Sequence, residues 1–205
     1  NFSDTGWKTS EIGMGCWALG GSWTDITEKN GFKILNQAIN EGVNFFDTSD
    51  AYGGGKSERI LGKFKKSTSQ KIYIATKIGT NLRPHLPELY QEKIFEKFLD
   101  SSLKRLQLDT IDLMQIHCPP VQLCSDERTF EMFDSFVKKG KIKFYGASVF
   151  TLKQAYEIIK FPNIKSIQLV FNMFRQKPSD DFFRIAKKKN ISIIARGSLA
   201  SGLFT

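Results

Sequence analysis

Cysteine is scarce in this 205-residue sequence: Cys16, Cys118 and Cys124 are an odd number, with no CxxC pair and no histidine at zinc spacing. That argues against a disulfide framework and for reduced thiols in a cytoplasmic setting. No apolar run reaches the roughly 18 residues of a membrane span, so no membrane association is expected. The opening Asn1-Phe2-Ser3-Asp4 has neither the basic region nor the apolar core of a signal peptide, and no initiator Met precedes it. Histidine is limited to His85 and His117, and no metal-ligand cluster is apparent. A phosphate-cradling glycine loop is also missing, since Gly53-Gly54-Gly55 lacks the strand–GxGxxG–helix context and reads as a flexible loop. Basic residues outnumber acidic ones, 30 to 21. The lysines nevertheless fall in short clusters near expected helix ends, as at Lys63-Lys65-Lys66 and Lys187-Lys188-Lys189, where cations complement the helix dipole. No aromatic-interleaved basic stripe of the kind that stacks single-stranded bases occurs, so nucleic acid is not an expected partner.

What is present is a regular alternation. A short strand over 11–17 opens into a glycine-bearing loop, and Asp25 or Thr27 can cap a helix with Phe32, Leu35, Ala38 and Ile39 on its core face. Val43, Phe45 and Phe46 form a second strand, followed by a helix over 57–64. The third strand, 72–77, leads through a loop to a long helix expected from Pro87 to about Leu106. A fourth strand over 111–116 stops at His117, and its helix turns Phe130, Phe133, Phe136 and Val137 inward. The fifth strand, 143–147, ends at Ser148, with Thr151 capping the next helix. The sixth, 167–171, precedes a helix that Ser179 can cap, and the seventh, 191–195, leads into Arg196-Gly197-Ser198-Leu199-Ala200-Ser201-Gly202. Continuous apolar strands alternating with helices argue for a parallel sheet buried on both faces. Seven such units in one 1–205 domain predict an α/β fold of the (β/α)8 TIM-barrel type, incomplete at the C-terminus. About seven strands are legible, and the eighth strand and last helices are not.

In such a barrel the chemistry collects at the C-terminal ends of the strands. Asp47 stops the second strand, with Tyr52 five residues beyond; Lys77 ends the third and His117 ends the fourth. Taken alone, Asp47 and Tyr52 have two open readings, a turn cap beside a packed ring or a catalytic acid with its tuning carboxylate. The convergence of four such groups on one rim favours function. Tyrosine, with an unperturbed pKa near ~10, is a poor proton donor until a neighbouring ammonium lowers that value. A carboxylate can hold the lysine's charge, and an imidazole can orient a carbonyl. The set suits delivery of a proton to a carbonyl oxygen, with hydride from an external source. Other groups read more plainly. Asp50 is expected to be a loop acid with local hydrogen bonds, His85 an exposed histidine without a partner, and Cys118 an inert thiol.

Ordered stretches carry a resemblance: Gly13-Met14-Gly15-Cys16-Trp17, Phe46-Asp47-Thr48-Ser49-Asp50-Ala51-Tyr52-Gly53, Lys56-Ser57-Glu58-Arg59-Ile60-Leu61-Gly62 and Ala75-Thr76-Lys77. Ser101-Ser102-Leu103-Lys104-Arg105-Leu106, the fourth strand with His117, and Gly140 to Ser148 continue it, and the loop from Arg196 to Gly202 closes it. Over nearly its whole length the chain resembles the aldo-keto reductases, (β/α)8 barrels that use NADPH without a Rossmann domain. The resemblance implies a catalytic tetrad of Asp47, Tyr52, Lys77 and His117, with Tyr52 the proton donor in reducing a small carbonyl substrate. It implies a carboxamide clamp for nicotinamide at Ser148 and Gln168, stacking on the nicotinamide by Arg196, and a pyrophosphate loop including Ser198, Leu199 and Gly202. Trp17 and Trp23 would lie near the substrate mouth. Val149 stands where the better-studied branch has asparagine, and Arg196 where it has tyrosine. NADP(H) rather than NAD(H) rests on the resemblance, because the family's adenosine 2′-phosphate motif follows an eighth strand. The same family includes regulatory subunits, so a non-catalytic barrel that binds a partner protein is the alternative.

Overall fold

In the computed structural model, which describes residues 1–22 and 24–204, seven strands pair side by side in chain order, every pair parallel. They are β1 (Met14–Gly15), β2 (Phe45–Asp47), β3 (Tyr73–Ile78), β4 (Ile111–His117), β5 (Ile142–Ser148), β6 (Ile164–Val170) and β7 (Ser192–Arg196). Helices α1 (Glu28–Asn40), α2 (Lys56–Ser67), α3 (Glu92–Leu106), α4 (Glu127–Lys138), α5 (Leu152–Ile158) and α6 (Phe182–Lys188) make the crossovers. This is an incomplete (β/α)8 barrel whose sheet has β1 and β7 as its edges. No helix among the described residues is long and apolar enough to cross a membrane.

Period-two alternation divides the core in two. One set of strand residues, including Phe46, Ile74, Met114, Ile116 and Ile167, packs outward against the helices with Leu35, Leu61, Phe95, Phe133 and Phe182. The alternate set, Phe45, Tyr73, Ala75 and Leu113, lines the interior. The N-terminal segment closes that interior from below. Phe2 and Trp7 form an antiparallel bridge, Phe2 stacks on Phe45 and Trp7 on Tyr73. The interior is therefore apolar and sealed at the base. The same inward faces continue toward the C-terminal ends of the strands as Asp47, Lys77, Gln115 and His117, and there they turn polar.

Register and caps follow local chemistry. Thr27, rather than Asp25, caps α1 by accepting from Asn30 N–H, while Asp25 pairs with Lys56. Thr151 and Gln154 form a capping box at α5. A Cβ on Gly62 would lie 2.4 Å from the Leu106 carbonyl oxygen, so only glycine lets α2 approach α3 this closely. Across that contact the buried Glu58 accepts from Arg105 Nε and Thr76 Oγ1, each at 2.6 Å.

Four local expectations are corrected. The helix expected from Pro87 begins at Glu92, after a single 3-10 turn over Pro87–Leu89. Tyr90 leaves helical geometry there (φ −81°, ψ 65°), packing its ring on Phe95 and bringing its hydroxyl to His85 Nε2 at 2.7 Å. His85 is thus half-buried and partnered, not exposed. Val137 is 37% exposed, because it lies one residue round the helix from the buried stripe of Phe130, Phe133 and Phe136. Ser179 does not cap α6; it ends a separate 3-10 turn over Lys177–Ser179, where its hydroxyl donates to the Gln176 carbonyl.

Candidate active site

Asp47 and Lys77 reach the rim because each ends an inward-facing strand register: Asp47 pairs with Ala75 and Lys77 with Gln115. Tyr52 arrives on the loop over 48–55, which is bound to the β1–α1 turn. Ser57 Oγ donates to the Cys16 carbonyl at 2.7 Å, and Thr48 Oγ1 lies 2.7 Å from Ser57 Oγ. Gly53 sits at φ +59°, and a Cβ there would come within 2.1 Å of the Gly20 carbonyl oxygen. The backbone beside Tyr52 thus runs flush against that turn, and a side chain would push the two apart.

Lys77 is fully buried and is the hub. Its Nζ donates to Asp47 Oδ2 at 2.6 Å, to the Thr48 carbonyl at 2.8 Å and to Tyr52 Oη at 3.2 Å. Asp47 Oδ1 accepts from Gln115 Nε2 at 2.9 Å. Both carboxylate oxygens are therefore committed, and a hydrogen-bonded line runs Gln115–Asp47–Lys77–Tyr52. Burial works against the Lys77 ammonium, but Asp47 and Tyr52 more than offset it, so its pKa stands above the usual lysine value and its charge is secure.

The Tyr52 hydroxyl corrects one expectation. Lys77 does pull its pKa down, yet burial outweighs that pull with help from the Asp47 charge, and the net direction is up. The phenol holds its proton firmly, as an acid awaiting an acceptor. His117 is driven the other way. Burial first, then the charges of Lys77, Arg196 and His85, lower its pKa to about 3, so the ring is neutral near pH 7. Its plane stands edge-on to Tyr52 with ring centroids 6.2 Å apart. Its Nδ1 lies 3.0 Å from Thr80 Oγ1 and 3.2 Å from Ser49 Oγ.

Of the residues singled out from the sequence, Asp47, Tyr52, Lys77 and His117 come together in one cluster. Ser148 and Gln168, paired in register on β5 and β6, are buried and joined by a 2.9 Å hydrogen bond from the Ser148 hydroxyl to the Gln168 carboxamide oxygen. Arg196 ends β7, lies over the Phe150 ring and donates from Nη2 to the Val149 carbonyl at 3.2 Å. Its Nε is a buried donor with no partner. Ser198, Leu199 and Gly202 belong to the exposed turn after β7, where Gly197, Ala200, Ser201 and Gly202 all take positive φ. Trp17 is exposed just beyond β1, and Trp23 lies outside the described residues. Cys118 is buried, and burial raises its thiol pKa, as expected of an inert thiol.

Several residues of the cluster escape sequence reasoning. Gln115 stands two residues before His117 on the same strand face, so period-two alternation alone aims it into the barrel beside Lys77. Ser49 and Thr80 carry no such signal, because loops bring them to His117. Asp50 reads as an ordinary loop acid, but it is 2% exposed and burial pushes its pKa up to about 6.

A family model described as the aldo/keto reductase family matches residues 11–205. The aldo-keto reductase YhdN of Bacillus subtilis is 34% identical over 212 residues, a match that spans 100% of this chain and 63% of that protein. A Schizosaccharomyces pombe aldo-keto reductase, yakc, whose name carries the designation NADP(+), is 30% identical and matches 95% of this chain and 59% of its own. The chain thus spans about three-fifths of the length of these curated relatives. Among solved structures, an aldo-keto reductase from Bacillus halodurans in its holo form superposes with a TM-score of 0.85 at 28% identity, over 99% of this chain and 67% of that one.

Proposed function

We propose that this chain, which belongs to the aldo/keto reductase family, serves the NADPH-dependent reduction of an aldehyde or ketone to an alcohol, with Tyr52 as proton donor. The observation that carries this reading is the line Asp47–Lys77–Tyr52, closed by hydrogen bonds of 2.6 and 3.2 Å beside a neutral imidazole. A neutral phenol with a buried ammonium at its oxygen is suited to give up a proton at the moment a carbonyl oxygen gains negative charge. The Lys77 ammonium then stabilises the phenolate left behind, and Asp47, held by Gln115, keeps that ammonium in place. His117, uncharged, can orient the carbonyl when it carries its proton on Nε2, without competing for the proton.

The residues on the far side of the rim fit a nicotinamide cofactor. The buried Ser148–Gln168 pair offers a hydroxyl and a carboxamide, and the unpartnered Arg196 Nε offers a buried donor. Ser198, Leu199 and Gly202 would meet its pyrophosphate. NADPH, when bound, supplies the hydride. The substrate is a small carbonyl compound, with Trp17 near its entrance. All three cysteines are unpaired thiols, which suits a reducing, cytoplasmic compartment.

The test is NADPH oxidation with small aldehydes by the native protein and by Tyr52→Phe. Loss of at least about a hundredfold in rate is expected, the usual worth of a general acid. Equal rates would overturn the reading.

A further inference from the structure

Ser49 has one hydroxyl proton and two competing acceptors. Its Oγ lies 3.1 Å from Asp50 Oδ1 and 3.2 Å from His117 Nδ1, with the Lys77 carbonyl farther off at 3.5 Å. The Ala51 N–H donates to the same oxygen at 3.2 Å, which orients its lone pairs but leaves the choice of acceptor open. An ionised carboxylate is the stronger acceptor and takes the Ser49 hydrogen bond. The serine oxygen then turns a lone pair toward Nδ1, and the imidazole answers by placing its own proton on that nitrogen. With Asp50 neutral, the Ser49 hydroxyl is free to donate its hydrogen bond to Nδ1, and the single imidazole proton sits on Nε2. Thr80 Oγ1, 3.0 Å from the same nitrogen, rotates to give or accept and so follows either state.

We infer that Asp50, acting through Ser49, selects the tautomer of His117: Nδ1–H when Asp50 is ionised, Nε2–H when it is neutral. The Nε2–H form is the one that can donate to a carbonyl oxygen, and this consequence rests on the proposed function. Ser49 and Asp50 are positioning residues, since neither needs to touch substrate. The surroundings of the carboxyl place the switch in a useful range. Asp50 is almost fully enclosed, its Oδ2 has no hydrogen-bond partner, and burial brings its pKa to about 6. The Glu58 carboxylate adds to that upward push, while Ser49, Asn81 and Arg105 oppose it. Facing His117 are Lys77, Arg196 and His85, all of which keep the ring neutral. The imidazole therefore exchanges one proton position for the other, without charging, as Asp50 titrates.

Because the sequence has two histidines, long-range 15N–1H imidazole spectra of the full chain, with His85→Gln as the assignment control, read the His117 tautomer directly. No NADPH or substrate is needed. The wild type is expected to pass from Nε2–H to Nδ1–H as pH rises through about 6. Asp50→Asn is expected to hold Nε2–H throughout, and Ser49→Ala to lose the pH dependence. A wild-type tautomer unchanged from about pH 5 to 8 overturns the inference. So does a wild-type transition retained in either variant, and Ser49→Ala decides alone if Asp50→Asn fails to fold. A tautomer that switches in a protein unable to reduce aldehydes would leave this inference standing and remove the proposed function; a fixed tautomer in an active reductase would do the reverse.

Discussion

Lys77 Nζ donates to Asp47 Oδ2 across 2.6 Å, with the lysine side chain wholly buried and the aspartate 16% exposed. The pair sits where the apolar barrel interior ends, so neither charge can be satisfied by water alone. Lys77→Met should leave Asp47 with Gln115 as its remaining side-chain donor. The expected cost is about 3 kcal/mol, as for other buried pairs that lose one partner. Urea unfolding of the variant checks this, and a change below about 1 kcal/mol would mean that the pair behaves like an exposed one.

The Glu58–Arg105 contact between α2 and α3 should behave the same way, because Glu58 is fully buried and would keep only Thr76 as a donor. Arg105→Met is expected to cost about 3 kcal/mol. Lys139→Met, in the half-exposed network with Glu92 and Glu96, should cost far less, because water already screens that pair. Similar losses in the two variants would contradict the role of burial.

Gly53→Ala should be costly twice over, in a positive φ and in a Cβ only 2.1 Å from the Gly20 carbonyl oxygen. A loss on the order of 2 kcal/mol or more is expected. Because the neighbouring Tyr52 must move with the backbone, the aldehyde reduction proposed for this site should fall further than stability does. Gly54→Ala, also at positive φ but with open space around it, should carry the strain alone, about 1 kcal/mol. Equal effects at the two positions would show that the approach to Gly20 is unimportant.

Asp50 and His117 should tilt stability with pH in opposite senses. Burial raises the Asp50 pKa to about 6, so its penalty is absent below the unfolded value and complete once pH exceeds the folded one. Asp50→Asn should therefore stabilise at pH 8, by on the order of 3 kcal/mol, and change little at pH 4. Burial lowers the His117 pKa to about 3, so its penalty is absent above the unfolded value near ~6.5 and grows as pH falls. His117→Gln should stabilise near pH 4 and have little effect at pH 8. Thermal unfolding across that range measures both, and parallel slopes for the two variants would contradict the assignment.

Much of the architecture was legible in residue order because parallel strands buried on both faces are continuously apolar and end abruptly. Phe45-Phe46-Asp47 and Ile74-Ala75-Thr76-Lys77 announce both a strand and the polar group at its end, and His117 closes the fourth strand in the same way. Helix starts were less legible. Pro87 marks a beginning, but the contacts of Tyr90 with Phe95 and His85 delay the helix to Glu92.

What the sequence by itself determined is which side chains stand at strand ends and which face they take, since alternation along a strand is a property of the backbone alone. The tertiary structure decided who meets whom. The register that sets Lys77 opposite Gln115, the loop closure that carries Ser49 and Thr80 to His117, and the enclosure of Asp50 all depend on packing between segments tens of residues apart. Enclosure also decided the direction of the Tyr52 pKa. Lys77 beside it could be read from residue order, but the loss of water around the phenol, which outweighs Lys77, exists only once the barrel has formed.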